Sequence, residues 1–534
     1  MKGTIRLTLF SKILILLLIL GLLGGGIYVG LSKGVIKKGE DTKTENVVSN
    51  DKSTPTVDNT DEDGNVINTE KTTSDTINLS LDEWIGWKSI LDANGGLSTQ
   101  PGSIYDDLGI KVNISIINDA TQSSSALISG DLDAAGYTIN RTAFLQNKFK
   151  EAGVETVMPF ITNFSNGGDG IIAKSSINTV EDLVGAKIGV PQFSEAHTLV
   201  VWFVNNSSLS EEDKKSIIDN LIFFATPDDA AKAFFAGQID VAATWEPYLT
   251  QAQNMSDAHI FFSTAVSSSL VMDGILFNKE FATENPEVVT KFIEGALTAS
   301  DKYTTDLETI KTVMPMFSTA SDQDIIDNCA GAKLTTYADN VSLLTGTAKD
   351  IYRDMCNIWV SIGEVADSSN VDSLFTIEYV SKLESKFSST QVTKTEANID
   401  TTQMDELTVE EAEAILSGTA NVTFIKNTAK FDNSEEATKV LDDFIKNAKI
   451  LDGSIIVIEG NTDPNPQSDP DDSYNTQLSL ARAETVKQYF VLNGIDPKRI
   501  IVQGNGSSKP MYDNDTEEHR ALNRRTDVSF KIIE

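Results

Sequence analysis

Apolar and polar positions follow two periods along this chain, one typical of helices and one typical of strands. The carboxyl-terminal part, 408–534, switches regularly between them. The pattern there predicts helices at 408–416, 434–450 and 476–493, and strands at 420–425, 454–460, 499–503 and 526–533. Alternation of this kind predicts an α/β sandwich.

A longer unit, 76–386, alternates in the same way. Short apolar runs typical of buried strands are separated by helical segments, as at "KVNISII" (111–117), "AKIGVP" (186–191) and "LIFFAT" (221–226). The fold class that we predict for this unit is therefore also α/β.

One pattern occurs twice within this unit. "SALISGDLDAAGYTIN" (125–140) and "KAFFAGQIDVAATWEPY" (232–248) each pass from a helix through glycine and aspartate into an alanine-rich strand. Gly130 and Gly237 are placed to end the helices in the left-handed conformation. Ligands bind at the carboxyl ends of strands in open α/β sheets, so the repeat indicates two lobes facing a cleft. Two βα units that look alike by chance are the alternative.

The amino-terminal region differs from the rest. Residues 13–32 carry no charge and are long enough to span a bilayer as a helix. No small-residue cleavage site follows, so we predict an uncleaved signal anchor behind a short cytoplasmic tail, 1–12. Two polar segments, 39–75 and 387–407, contain too few apolar residues to fold and are predicted linkers.

Charge and composition argue against several functions. The chain has 43 Lys and Arg against 78 Asp and Glu, and the net charge of −35 argues against a nucleic-acid partner. With three histidines and no recognisable nucleophile elbow, metal cluster or phosphate loop, we predict no catalysis, no cofactor and no metal. Cys329 and Cys356 are compatible with one disulfide or with two buried thiols.

Several stretches of the large unit together resemble the substrate-binding proteins of nitrate-, sulfonate- and taurine-type ABC transporters. They are "GDLDAAGYT", "GGDGIIAK" (167–174), "INTVEDLVGAKIGVPQFSEAHTLV" (177–200), "PDDAAKAFFAGQIDVAATWEPYL" (227–249) and "FATENPEVVTKFIEGALTA" (281–299). The resemblance implies a hinged, two-lobed fold of the type II periplasmic-binding-protein kind, which closes around one small molecule. One lobe would combine 77–165 with 250–385, and the other would be 170–245. It also implies an ABC permease as partner.

The residues propose a site in this cleft. Ser194 is a natural N-cap, and the free amides that follow, with Ser194 and His197, make an end suited to an anion. The bland alternative is a helix cap beside a solvent-facing histidine. Large aromatics at strand ends include Trp84 and Trp87, on either side of Gly86. Such rings stack on planar ligands or surround cations, although tryptophan is as common in cores.

The ligand charge stays open at this stage. Trp245 and Glu246 form a "WEP" corner near the lobe crossing. Glu246 and the acids Asp169 and Asp273 favour a cation, whereas the helix N-terminus favours an anion. The quoted stretches contain few basic residues, among them Lys174 and Lys187, which argues against a doubly charged anion. Two further cleft candidates, on position alone, are Thr138 and Asn140.

The last domain carries the most specific resemblance. "IIVIEGNTD" (455–463), "YNTQLSLARAETVKQYFVLNGI" (474–495) and "NRRTDVSF" (523–530), with "FDNSE" and "GNGSSKP", resemble the OmpA-like peptidoglycan-binding domain, which also occurs in the flagellar stator protein MotB. This resemblance implies binding of the diaminopimelate-type residue of the peptide stem. Because peptidoglycan lies outside the cytoplasmic membrane, it also places the bulk of the chain outside.

The same resemblance implies roles for individual residues. Asp463 matches the aspartate that takes the ammonium group, and Arg482 matches the arginine that takes the carboxylate in a forked pair, which lysine does not reproduce. The neighbours that match the lining of this pocket are Thr462, Asn475 and Leu478. An arginine on a buried stripe that merely extends its head to water is the structural alternative.

This domain departs from the family pattern at two places and matches it at an arginine pair. Asn461 stands where the family usually has histidine, and "PNPQSDPDDSY" lengthens the loop after Asp463, which leaves the affinity for peptidoglycan open. Arg524 and Arg525 match a family pair for which we predict a structural role.

Together these observations predict a membrane-anchored solute receptor for an ABC transporter, tethered to peptidoglycan. Three other functions are alternatives to this prediction. A solute sensor would signal through a membrane partner, and a structural wall linker would bind no solute. An ion-driven stator needs a carboxylate in the membrane, but 13–32 contains no Asp or Glu.

Overall fold

The structure, a computed structural model, describes residues 75–532 except 268, 366–370, 391–411, 421, 423, 426, 433 and 465–470. The predicted anchor, the tail and almost all of both linkers lie outside these residues. Within the described part, no helix is long and apolar enough to cross a membrane.

The described strands are β1 Thr76–Leu81, β2 Lys111–Ile116, β3 Ala134–Thr138, β4 Thr156–Ser165, β5 Asp169–Lys174, β6 Ile188–Pro191, β7 Ile222–Phe224, β8 Val241–Trp245, β9 Ala258–Ser263, β10 Met272–Asn278, β11 Ala332–Leu334, β12 Glu413–Ala420, β13 Ile455–Gly460, β14 Ile500–Gly504 and β15 Thr526–Ile532.

The described α-helices are α1 Lys88–Asn94, α2 Ile104–Asp107, α3 Ala120–Ser129, α4 Ile139–Glu151, α5 Glu195–Asn205, α6 Glu211–Asp219, α7 Pro227–Phe235, α8 Tyr248–Gln253, α9 Lys279–Glu284, α10 Pro286–Thr298, α11 Glu308–Val313, α12 Asp322–Ala330, α13 Tyr337–Thr345, α14 Thr347–Ser361, α15 Val371–Leu374, α16 Glu384–Phe387, α17 Ser434–Ile450, α18 Ser473–Leu492 and α19 Glu517–Asn523.

The large unit contains two sheets. The first has the order β11-β4-β10-β3-β1-β2, with β1 parallel to β2 and β3, and β10 antiparallel to β3 and β4. The second has the order β7-β6-β8-β5-β9. All six residues of β1 are buried, as expected for a strand covered on both faces. The α/β prediction is confirmed, and each sheet forms the centre of one lobe.

The second lobe extends further along the chain than its predicted end at residue 245. Strand β9, Ala258–Ser263, pairs antiparallel with β5 and closes one edge of the second sheet. The chain then returns to the first sheet through β10. The motif pattern missed this strand because it lies between two of the matching stretches.

The repeated pattern occupies equivalent places in the two sheets. Gly130 ends α3 with φ 81°, and Gly237 follows α7 with φ 70°, so both adopt the left-handed conformation predicted for them. Each leads into a central strand, β3 in one sheet and β8 in the other. Cys329 and Cys356 are buried thiols and form no disulfide.

The carboxyl-terminal domain is a four-stranded sheet in the order β12-β15-β13-β14, packed against α17 and α18. Its predicted helices at 434–450 and 476–493 and its last three strands are confirmed within a few residues. The predicted helix at 408–416 is wrong where it is described, because β12 pairs with β15 from Glu413 to Ala420. This edge pairing outweighs the local helical pattern. Of the predicted strand at 420–425, Ala420 is the last residue of β12 and Phe424 forms a bridge with Phe431, while 421 and 423 lie outside the described residues.

Candidate functional site

The edges of the two sheets bring a set of acidic side chains together. Asp82 follows β1 directly, and Asp273 of β10 lies opposite Thr138 of β3. In the second sheet, Asp169 begins β5. These side chains and Glu195 at the start of α5 interact electrostatically with one another. We call Asp82, Asp169, Glu195 and Asp273 the carboxylate cluster.

One cation lies within this cluster. The Nη2 atom of Arg141, in α4 of the first lobe, donates to Glu195 Oε2 in the second lobe at 3.1 Å. Its Nη1 atom lies 4.0 Å from Asp82 Oδ2. Arg141 therefore joins the two lobes and neutralises part of the cluster. Its Nε atom is buried without a hydrogen-bond partner among the described residues.

The remaining two carboxylates are as deeply buried as Glu195. Asp169 is 4% exposed and Asp273 is 3% exposed, and neither forms an ion pair within the described part of the chain. Burial raises the pKa of Asp169 to about 7, helped by repulsion from Glu195. Burial also raises the pKa of Asp273 well above its ordinary value, and that of Asp82 in spite of Arg141. The cleft thus holds more carboxyl groups than its single guanidinium pairs with.

The two tryptophans after β1 have different roles. Trp87 is buried in the core, and its indole N–H donates to Asp82 Oδ1 at 2.6 Å, which fixes that carboxylate. Trp84 is half-buried, and its indole N–H donates to Asn163 Oδ1 at 3.1 Å. Any Cβ at Gly86 would overlap the Asn163 side chain, so glycine is required for this close approach.

Ser194 acts as the predicted N-cap. Its Oγ atom accepts from the His197 backbone N–H at 3.3 Å and donates to the Pro191 carbonyl at 2.7 Å. His197 is buried, not solvent-facing, and its ring lies 5.2 Å from the rings of Phe223 and Trp359. Burial lowers the pKa of His197 to about 4, so the imidazole is neutral at physiological pH.

Thr138 and Asn140 lie where the lobes touch. Thr138 caps α4 by accepting from the Arg141 N–H, and its hydroxyl is 3.5 Å from Glu195 Oε2. The Asn140 amide donates across the lobes to Thr198 Oγ1 at 2.8 Å. Its Oδ1 atom is buried without a partner among the described residues.

The "WEP" corner is divided. Trp245 lies opposite Asp169 in the sheet, and its indole N–H donates to Asp228 Oδ1 at 3.3 Å. The Glu246 carboxylate instead accepts from the N–H and hydroxyl of Thr250, at 3.1 and 2.8 Å. Glu246 therefore stabilises the start of α8.

Sequence reasoning missed four residues of the cleft: Asp82, Arg141, Asn163 and Glu195. Arg141 comes directly after the repeated stretch 125–140, and Glu195 lies between the two residues proposed at the start of α5. Position beside a marked strand end was therefore an available signal for both. Nothing in the sequence near Asn163 indicates that Trp84 and Gly86 contact it.

A separate cavity of about 760 Å³ lies away from this cluster. Part of the second lobe and the edge of the carboxyl-terminal sheet line it, including Phe203, Phe261, Ile415 and Ile532. None of the carboxylate cluster contributes to its lining. Its residues are those of a contact between domains, so we place the candidate solute site at the carboxylate cluster.

The second candidate site lies in the carboxyl-terminal domain. Asp463 follows β13, and Arg482 lies halfway along α18. Arg482 is 6% exposed, and its Nε atom donates to the Thr428 carbonyl at 3.2 Å while its guanidinium lies 5.0 Å from the Phe424 ring centroid. Its two terminal nitrogens make no hydrogen bond among the described residues. The guanidinium is therefore held from behind, with its fork unoccupied.

Arg524 contributes more than its predicted structural role. Its Nη1 atom lies 3.0 Å from Asp463 Oδ2, and its Nη2 atom lies 2.8 Å from Glu517 Oε1. Repulsion from Arg524, together with burial, lowers the pKa of Arg482. Arg525 is structural, as predicted, since it pairs with Asp527 at 2.9 Å and donates to the Lys509 carbonyl.

Neighbouring residues complete this pocket. Thr462 is buried with its hydroxyl unpartnered among the described residues. The Asn475 amide donates to Asp472 Oδ1 at 2.8 Å and to the Asp463 carbonyl at 3.4 Å. Leu478 is half-buried one turn before Arg482 on α18. Asn461 is buried and forms hydrogen bonds with Asp527 and Asn505, so its side chain is held within the domain.

Comparison with known proteins identifies both regions. Residues 423–524 match the family model described as "OmpA family", and residues 103–306 match the one described as "NMT1/THI5 like". The chain is 37% identical over 119 residues to outer membrane protein A of Bordetella avium, covering 22% of this chain and 57% of that protein. The chain thus spans less than two thirds of the length of this relative.

Two further similarities concern the large unit. A putative binding protein of Brucella abortus is 21% identical over 217 residues, covering 40% of this chain and 66% of that protein. The structure of the periplasmic aliphatic sulphonate binding protein SsuA from Escherichia coli aligns with 16% identity and a TM-score of 0.45, covering 56% of this chain and 97% of that one. The chain thus matches the OmpA family near its carboxyl end and the NMT1/THI5-like family within the large unit, each over less than half of its length.

Proposed function

We propose that this protein is an extracytoplasmic solute receptor that is anchored in the cytoplasmic membrane by residues 13–32 and held at the cell wall by its last domain. It captures a small solute between its lobes and passes it to an ABC permease. The observation that carries the proposal is the presence, in one chain, of a charged cleft between two sheets and an aspartate–arginine pocket in an OmpA family domain.

The cleft supports solute capture because its polar groups come from both lobes. Arg141 of the first lobe contacts Glu195 of the second, and Asn140 contacts Thr198 in the same way. A ligand that inserts between such groups changes the relative energies of the open and closed arrangements, as hinged receptors require. The role is binding without chemistry.

The last domain supports wall binding through a two-point pocket. Asp463 pairs with Arg524 through Oδ2 and offers its Oδ1 atom to an ammonium group, while the unoccupied fork of Arg482 offers two parallel donors to a carboxylate. The diaminopimelate-type residue of a peptide stem carries both groups on one carbon. We therefore assign it as the ligand, with Thr462 as a further donor.

The test of the solute role is native mass spectrometry of the full chain, purified from its source in mild detergent. A receptor is expected to retain a small molecule at a ratio of one to one. The measurement is repeated after dialysis against denaturant and refolding, which removes the solute. Absence of any mass difference between the two preparations would contradict the solute role and would favour a structural wall linker.

A further inference from the structure

We propose that the cleft selects a solute carrying an organic ammonium group, which binds between Asp169 and Asp273 beside Trp84. This inference rests on the proposed function, because it names the ligand class of the same cleft.

The first argument is the balance of charge. The carboxylate cluster contains four acids, and Arg141 is the cation that pairs with it, through Glu195 and Asp82. Asp169 and Asp273 come from different sheets and interact electrostatically with each other, yet no described residue supplies an ion-pair partner for either. A positive group between them would be attracted by both sheets at once.

The second, independent argument is burial. Both side chains are more than nine-tenths buried. The groups beside them are neutral, the Ser165 hydroxyl for Asp169 and the Trp84 indole for Asp273, and Arg141 acts on both carboxyls without forming an ion pair with either. A buried carboxylate without a cation is costly, and proteins keep such groups where a ligand supplies the charge. The half-buried ring of Trp84 adds an aromatic surface of the kind that binds ammonium groups.

A metal ion fits these residues poorly. Metal ligands converge on one point at about 2.0–2.6 Å, and the described residues contain no group of three or more acids, histidines or cysteines that could hold one ion. The four carboxylates instead come from four separate places, directly after β1 and in β5, α5 and β10, and do not form such a group. That arrangement suits an organic cation, whose charge is spread over a bulkier group.

An anion fits equally poorly. The start of α5, which the sequence offered as an anion site, is capped by Ser194 and carries Glu195 in its first turn. Arg141 already donates to Glu195 and lies beside Asp82, so its charge is not available to a sulfonate or nitrate group. An incoming anion would meet four carboxyl groups, and the guanidinium beside them is already paired.

The experiment is a thermal-shift series on the full chain with two panels of probes. The cationic panel contains putrescine, agmatine and choline, and the anionic panel contains ethanesulfonate, butanesulfonate and nitrate. We expect the Tm to rise with one or more cations and with none of the anions. A rise with anions alone would overturn the ammonium inference while leaving the solute role intact.

Variants locate the effect. Asp169→Asn and Asp273→Asn are each expected to weaken binding of the active cation by about tenfold or more, because each removes one buried charge from the pair. Asp219→Asn, on the exposed surface of α6, is the matched control and is expected to bind as the wild type does. Unchanged binding by both cleft variants would overturn the assignment.

If no probe of either panel raises the Tm, the small molecule released from the native preparation decides the matter. A released compound with a cationic nitrogen supports the inference, and one that carries only acidic groups overturns it. Release of no compound overturns both this inference and the solute role.

Discussion

At the scale of residues, two arginines, Arg141 and Arg482, differ in what they bind. Arg141 pairs with carboxylates of the protein itself, and its ion pair with Glu195 joins the lobes. Arg482 is held only through its Nε atom and by the ring of Phe424, which leaves its terminal nitrogens for a ligand. This difference in partners favours Arg482 as the guanidinium that binds a ligand.

The geometry of Arg482 gives the first prediction. Arg482→Lys keeps the positive charge but loses the fork, so two parallel hydrogen bonds to a carboxylate become one. We expect wall binding to fall by about tenfold or more, measured by sedimentation of the full chain with purified sacculi. Arg353→Lys, an exposed arginine of α14, is the matched control. Equal sedimentation of wild type and Arg482→Lys would show that the fork does not bind the stem peptide.

The second prediction concerns Asp169 and pH. Its pKa of about 7 in the folded chain exceeds the ordinary value of 3.8, so folding without solute takes up a proton between pH 4 and 7. Stability from this group is therefore lost as the pH rises through that window. The groups that face Asp169 are Asp82, Glu195, Asp273 and Arg141, together with the Ser165 hydroxyl.

Asp169→Asn is consequently expected to raise the free energy of unfolding of the solute-free protein by about 1–3 kcal/mol at pH 8. The gain should shrink as the pH falls from 7 towards 4. Chemical denaturation at pH 8, 6 and 4, with Asp219→Asn as control, measures it. A loss of stability at pH 8 would mean that Asp169 serves the fold rather than a ligand.

At the scale of elements, close packing of β13 against α18 determines the geometry of the candidate pocket that contains Asp463 and Arg482. A Cβ at Gly460 would overlap the backbone of Ser479, so only glycine permits the helix to lie this near the strand. Asp463 and Arg482 extend from these two elements, and their separation depends on that contact.

Gly460→Ala is therefore expected to destabilise the carboxyl-terminal domain by about 2–4 kcal/mol, as overpacking against backbone does. Wall binding should fall with it, and the thermal transition of the domain measures the loss. Gly346→Ala, where the nearest atom would be 3.5 Å away, is the control. An unchanged transition would show that the helix shifts without cost.

Much of this level was predictable from sequence, and the exceptions have physical causes. Boundaries of α17, α18, β13, β14 and β15 follow from local periodicity, which is why they were found. The local pattern predicts a helix where the structure has strand β12, because the pairing of β12 with β15 depends on residues more than a hundred positions away. The carboxylate cluster is not predictable from local sequence for the same reason. The order of strands in the sheet brings Asp82 and Asp273 together, although they are far apart in the chain.

At the scale of the whole molecule, the carboxyl-terminal domain contacts the large unit at the return between its lobes. The Gly453 N–H donates to the Val266 carbonyl at 3.0 Å, and Val266 lies in the connection from β9 to β10. Lys446 of α17 forms an ion pair with Asp354 of α14 at 2.6 Å. These two contacts join the carboxyl-terminal domain to the large unit.

Lys446→Glu places two like charges at this contact. We expect the Gly453 amide to exchange its hydrogen several-fold faster, since partly exposed ion pairs contribute up to about 1 kcal/mol. Adding Asp354→Lys restores the pair with reversed charges and should restore protection. Equal exchange in wild type, single and double variants would show that the ion pair does not hold the two domains together.

The central claim is that one chain holds the wall and a solute at the same time, and one measurement tests it directly. The full chain is sedimented with sacculi, and small molecules released from the washed pellet are quantified against protein by mass spectrometry. We predict a solute at about one per chain, as a single cleft requires, a pellet without solute for Asp169→Asn, and little protein in the pellet for Arg482→Lys. Wild-type protein that stays in the supernatant, or that pellets with no more solute than Asp169→Asn, would contradict the account.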